Sequence, residues 1–203
     1  MSEAGRMTTT RPGRARSEEA RLAILLAARD ELAERGYDKL SLDRVAAAAG
    51  VGKQTIYRWW SSKAALVAEG VLEGHLMPGL AVPSPETDSD DVWADVAGWL
   101  RDFGRALATP STAALLRATS AATAEDDGVA ARYDEQLTTV TRVALEARFD
   151  RAAAAGQVRA DAPIATAVEA LVGLLSYHIV TRRDLTEESV DGVVRLLRDG
   201  VGT

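Results

Sequence analysis

Ser41–Leu66, SLDRVAAAAGVGKQTIYRWWSSKAAL, pairs two short runs of helix formers across a single glycine turn. Ser41 stands where a hydroxyl accepts from the orphan N–H groups of a helix opening at Leu42. Leu42, Val45, Ala46 and Ala49 then leave one apolar stripe along that helix. Gly50 ends it, since glycine enters the left-handed region without a Cβ penalty, and Val51 packs back under the turn. The spacing predicts a second helix over 53–59. At about 100° per residue, Ile56, Trp59 and Trp60 fall on one side and Lys53, Gln54, Tyr57 and Arg58 on the other. Two helices joined this way make a helix-turn-helix, whose second helix lies in the DNA major groove. Lys53 and Lys63 each occupy the first turn of a helix, where the dipole disfavours a cation; a neighbouring phosphate backbone accounts for both.

Working outward, Ile24, Ala28, Gly36, Tyr37, Ser41, Val45, Ala46, Ala49, Gly50, Val51, Thr55, Tyr57, Lys63 and Leu66 make a dispersed pattern. Through it, residues 24–66 resemble the DNA-binding domain of the tetracycline-repressor family of bacterial transcription regulators, and a match spread so widely is more specific than a short motif. The chain departs from that pattern at Gly52, where Ser is usual, and at Trp59 and Trp60, where His and Phe are common. Gly52 still caps a helix at a cost of a few tenths of a kcal/mol, but it has no hydroxyl to offer a phosphate. The resemblance implies an all-α fold: a three-helix N-terminal helix-turn-helix domain plus a larger helical C-terminal domain for ligand binding and dimerisation. It further implies a ligand-released repressor that binds double-stranded DNA at a palindromic operator as a homodimer.

Composition agrees. The 203 residues suffice for one or two domains with real cores. Absence of cysteine excludes disulfides and thiolate metal sites. The net charge of −6 divides unevenly: residues 1–66 hold 12 Lys or Arg against 8 Asp or Glu, and the remainder holds 12 against 22. A basic N-terminal part on an acidic body suits local phosphate contact. No stretch approaches the roughly 20 apolar residues of a membrane helix, and no secretory signal opens the chain, so a cytoplasmic protein without membrane association is expected. An enzyme is disfavoured: the two histidines, His75 and His178, lie on distant segments, no phosphate loop, dinucleotide fingerprint or HExxH occurs, and no catalytic residue, metal site or cofactor is assigned. A helical interaction module without DNA contact would leave the Lys53, Gln54, Tyr57 face unexplained.

Three parts are expected. Residues 1–16, rich in arginine, form a disordered basic arm, read either as a minor-groove arm or as a solvated tail. Residues 17–61 form the helix-turn-helix domain, beginning with a helix capped by Ser17 whose buried face carries Leu22, Leu25, Leu26, Ala28, Leu32 and Ala33. Residues 62–203 form the effector and dimerisation domain, entered through a linker helix over 62–75 and a proline-rich loop over 77–90. In that body the 3.6-residue period predicts a helix from Asp90 or Asp91, another from Ser111, and a longer one with Val129, Tyr133, Leu137, Val140, Ala144 and Ala147 on one side. Two more follow, one capped by Asp161 with Pro163 in its first turn, the other stapled by Leu185 on Val190. By resemblance, these last two pair with their symmetry mates.

The site residues follow from the wheel and the resemblance. Lys53, Gln54 and Tyr57 are expected at base edges, and Ser41, Thr55, Tyr57, Arg58 and Lys63 at phosphates. A small, largely apolar effector is expected among Trp93, Trp99 and Phe103, which share one helix, with Thr119, Tyr133 or His178 as polar partners. The alternative is that these rings are simply core and that His178 is a packed interface residue.

Overall fold

The computed structural model describes residues 12–77 and 89–202. Most of the expected arm, residues 1–11 with Arg6 and Arg11, and the loop over 78–88 lie outside them. The described chain is all α: α1 (Pro12–Arg35), α2 (Leu42–Ala48), α3 (Lys53–Trp59), α4 (Lys63–Leu72), α5 (Val92–Ala108), α6 (Pro110–Glu125), α7 (Asp127–Tyr133), α8 (Thr139–Ala154), α9 (Ile164–Thr181) and α10 (Glu187–Val201).

Two large cores divide these helices, with a small third cluster of Ala68, Ala122 and Val129 between α4, α6 and α7. The head core gathers Ile24, Leu25 and Ala28 of α1, Val45 and Ala46 of α2, Ile56 of α3, Trp60, and Leu66 of α4, and is completed by Leu115 and Ala118 of α6. The body core gathers Val96, Trp99 and Phe103 of α5, Leu116 of α6, Phe149 of α8, and Leu171 and Ile179 of α9. α6 therefore serves both, and its packing along α4 sets the head on the body.

Local chemistry explains most boundaries. α2 closes through a Schellman turn: Gly50 takes φ +67°, its N–H reaches the Ala47 carbonyl, and Val51 N–H reaches that of Ala46. Ser62 caps α4 by accepting from Ala65 N–H at 3.1 Å, and Asp91 caps α5 by accepting from Trp93 and Ala94. Thr186 caps α10, with Leu185 and Val190 both buried in the body core.

Several expectations need correction. α1 starts at Pro12, because proline at the first helical position sacrifices no hydrogen bond, so residues 12–16 are helical and Ser17 is not a cap. Leu22 and Ala33 point to solvent, and Ile24 takes the buried place instead. Ser41 sits at the N-cap of α2, but its hydroxyl makes no capping bond. The linker helix stops at Leu72, with Gly74 at φ +73° closing it before His75. Pro163 itself is the N-cap residue of α9, which leaves Asp161 outside the helix.

The long helix after Asp126 contains a π turn, Asp134–Thr138, between α7 and α8. One extra residue in a helical turn advances the buried face by one position. The stripe that should pass through Val140, Ala144 and Ala147 accordingly passes through Thr141, Leu145 and Arg148, and Val140 is exposed.

α9 also departs from expectation. By length and composition alone its 18 residues, of mean hydropathy 1.5, are enough to cross a membrane, yet only 28% of them are buried. Thr166, Ala170, Gly173, Tyr177 and Val180 form an open stripe of small or apolar residues, broken by Glu169.

Candidate nucleic-acid interface and effector cavity

The turn at Gly50 delivers α3 with Ile56 fully buried, so the opposite side must face out, and Lys53, Gln54, Tyr57 and Arg58 are all exposed. An open groove of about 390 Å³ runs between α2, α3 and the start of α4. It brings together Ser41, Lys53, Tyr57 and Lys63, with Asp43, Ser61 and Ser62, which sequence reasoning did not assign. Gln54, Thr55 and Arg58 lie outside that lining. Thr55 is half-buried, and the Arg58 guanidinium lies 5.1 Å from the Trp59 ring centre.

The two ammonium groups of the groove already have partners. Lys63 Nζ donates to the Tyr37 carbonyl at 2.9 Å and stands 4.3 Å from the centre of its ring. This contact stabilises a cation in the first turn of α4, which the helix dipole alone would not do. Lys53 Nζ lies 2.6 Å from Asp43 Oδ1, and that hydrogen bond and charge raise its pKa. No sequence signal exposes the Asp43–Lys53 contact, because it crosses the turn between two helices whose relative angle a single-helix wheel does not contain.

A second concavity lies in the body. A cavity of about 70 Å³ is lined by Trp99 and Phe103 of α5, Leu116 of α6, Tyr133 of α7, Leu137 and Thr138 of the π turn, Thr141 of α8, and Val172, Leu175, Ser176 and Ile179 of α9. Burial pushes the Tyr133 phenol up, so it stays neutral at any physiological pH. Of the six residues expected around an effector, Trp99, Phe103 and Tyr133 line this cavity; Trp93, Thr119 and His178 do not. Trp93 packs edge-on against Phe149 with ring centres 6.0 Å apart. Thr119 is fully buried and donates to the Leu115 carbonyl within its own helix. His178 Nδ1 donates at 3.0 Å to the Arg183 carbonyl, locking the end of α9 where Arg182 takes φ 58°. Leu137 lies on the expected side, whereas Thr138 and Thr141 enter the wall through the register that the π turn shifts, which a plain 3.6-residue period misses.

A helix-turn-helix whose second helix turns a donor face outward, set in a small bundle on a larger helical body, has recognisable kin. Residues 24–69 match the model of the bacterial regulatory proteins of the tetR family, and residues 86–197 match that of the tetracyclin repressor-like C-terminal domain. The chain belongs to the tetracycline-repressor family. It is 31% identical over 166 residues to the HTH-type transcriptional regulator Mb1581 of Mycobacterium bovis, covering 80% of this chain and 78% of that one. It is 28% identical over 177 residues to the HTH-type regulator YdeS of Bacillus subtilis, covering 87% and 86%. The crystal structure of the TetR-family regulator SCO0332 superposes with a TM-score of 0.64 at 29% identity, over 91% of this chain and all of that one. The chain is thus a DNA-binding transcriptional regulator, of a family whose work is regulatory rather than catalytic.

Proposed function

We propose that this tetracycline-repressor-family chain is a repressor that binds a palindromic operator as a homodimer and leaves it when a small, largely apolar molecule enters the body cavity. Lys53, Gln54 and Tyr57 approach base edges, while Ser41, Thr55, Arg58 and Lys63 serve the phosphates, Lys63 through the N–H groups that Tyr37 leaves unused.

The observation that carries the coupling is the double duty of α6. Leu116 lines the cavity, whereas its neighbour Leu115 belongs to the head core. At about 70 Å³ the cavity is smaller than one that admits benzene, roughly 150 Å³, so an effector must push its walls apart. Movement of α6 is felt by α4 and hence by the head. The effector shifts the equilibrium only by its differential affinity for the two head geometries.

Dimerisation is supported by what α9 and α10 leave uncovered. Val180 is 66% and Leu196 74% exposed, and a Cβ added at Gly173 or Gly192 would meet nothing. Such a surface suits close helix packing against a second copy. Two heads then meet half-sites about 34–36 Å apart, or multiples of this. A regulator acting on the bacterial chromosome works in the cytoplasm.

The test is to sequence genomic fragments retained by the pure protein. Recurrent inverted repeats at that spacing, lost from the protein on adding a small aromatic molecule, are the expected result; retention without sequence preference contradicts the proposal.

A further inference from the structure

The groove beside α3 contains one carboxylate, Asp43, among its lining residues, and that carboxylate holds the Lys53 ammonium at 2.6 Å. Both side chains are mostly in solvent, Asp43 63% and Lys53 53% exposed. Exposed pairs of this kind contribute little to stability, so the fold does not require it. Its position matters more. An acid on a surface that receives a polyanion repels nearby phosphates and occupies one of the two ammonium groups lining the groove.

The two classes of acceptor on DNA respond differently to this arrangement. A phosphate is charged, so it must displace Asp43 from Lys53 or lie beside a carboxylate. A guanine edge offers O6 and N7, which are neutral acceptors, and an ammonium can donate to them while still bound to its acid. We propose that Asp43 is a specificity-determining residue: it withholds Lys53 from sequence-independent phosphate contact, so that tight binding depends on what Lys53, Gln54 and Tyr57 find on base edges. This inference rests on the assignment of α3 as the recognition helix.

The test compares the full chain with Asp43→Asn by fluorescence anisotropy on two labelled duplexes, one of random sequence and one selected from genomic DNA by the unaltered protein. Thermal melting checks that the variant folds. Between about 50 and 200 mM salt, Asp43→Asn should bind the random duplex with a salt slope steeper by about one, and about tenfold more tightly at the low end, because one more phosphate contact releases about one counterion. Affinity for the selected duplex should change by less than about threefold, so the specificity ratio falls. In the Lys53→Ala background the same Asp43→Asn change should leave the random-duplex slope where it was. An unaltered slope in Asp43→Asn, an equal gain on both duplexes, or a gain that survives Lys53→Ala would each overturn the proposal. If the unaltered protein shows no preference for any genomic fragment, the recognition-helix assignment itself fails, and this inference with it.

Discussion

Arg132 Nη1 donates to Glu69 Oε2 at 2.9 Å, joining α7 to α4 one residue away from Tyr133, which lines the cavity. Glu69 is 7% exposed, and its other oxygen lies 2.6 Å from Arg21 Nη2 of α1. One buried carboxylate therefore ties cavity wall, linker helix and head together. Glu69→Gln takes the carboxylate from Arg132 and leaves Arg21 with Glu73 as its remaining acid. Because both arginines retain some solvent, the expected loss is about 1–2 kcal/mol rather than the larger figure for fully buried pairs. Thermal melting measures that loss. Operator release by effector should weaken more in Arg132→Gln than operator binding does, and equal losses in both would show that the contact only supports the fold.

Tyr57 and Lys63 separate recognition from architecture. Tyr57 is 49% exposed, so Tyr57→Ala should leave the melting temperature nearly unchanged while weakening operator binding. Lys63→Ala removes a charge-assisted bond to the Tyr37 carbonyl and should also cost about 1 kcal/mol of stability. Its loss of DNA affinity should be similar on every sequence. Circular dichroism on both variants, followed by binding to operator and random duplex, distinguishes these outcomes.

The head is legible in the sequence because its determinants are local: Gly50 ends α2, Ile56 and Trp60 mark the inner side of α3, and a few turns of chain contain both. The body is legible as helices but not as a site. A uniform 3.6-residue period puts Val140, Ala144 and Ala147 on the buried side, and the π turn at Asp134–Thr138 moves that side on by one residue. Trp93 and Trp99 share a helix and an apolar stripe, yet only Trp99 reaches the cavity, since Phe149 from α8 covers Trp93. Asp43 carries no signal of its own, because its significance comes from Lys53 across the turn.

Gly173 offers a clean probe of assembly. A side chain there meets nothing within the chain, and leucine has the higher helix propensity, so Gly173→Leu should fold at least as well as the unaltered protein. In a close-packed pair of α9 helices the added bulk has no room. Light scattering at micromolar concentration is expected to give a dimer for the unaltered chain and a shift towards monomer for the variant; a monomer in both would remove the basis for a palindromic operator.

Asp95 makes stability depend on acid. Burial pushes its pKa up, but hydrogen bonds from Ser89 and Arg148 outweigh this and hold it below its ordinary 3.8. Arg148 Nε donates to Asp95 at 2.7 Å and Arg148 Nη2 to the Ser89 carbonyl at 2.9 Å, so the network pins the start of α5 to α8. With the folded value depressed, the stabilisation is fully present above the unfolded value and disappears as pH falls through the folded one. Asp95→Asn should therefore melt lower than the unaltered protein at neutral pH, and the gap should close in strong acid. A gap independent of pH would mean that packing, not charge, is responsible.

Whether occupancy of the cavity releases DNA can be followed in a single titration. Trp99 lines the cavity, so its fluorescence reports the effector, while anisotropy of a labelled operator reports the head. Coupling through α6 requires quenching and release to follow the same concentration dependence, and Trp99→Phe to abolish the quenching while retaining release. A molecule that quenches Trp99 to saturation and leaves operator affinity unchanged would contradict the coupling.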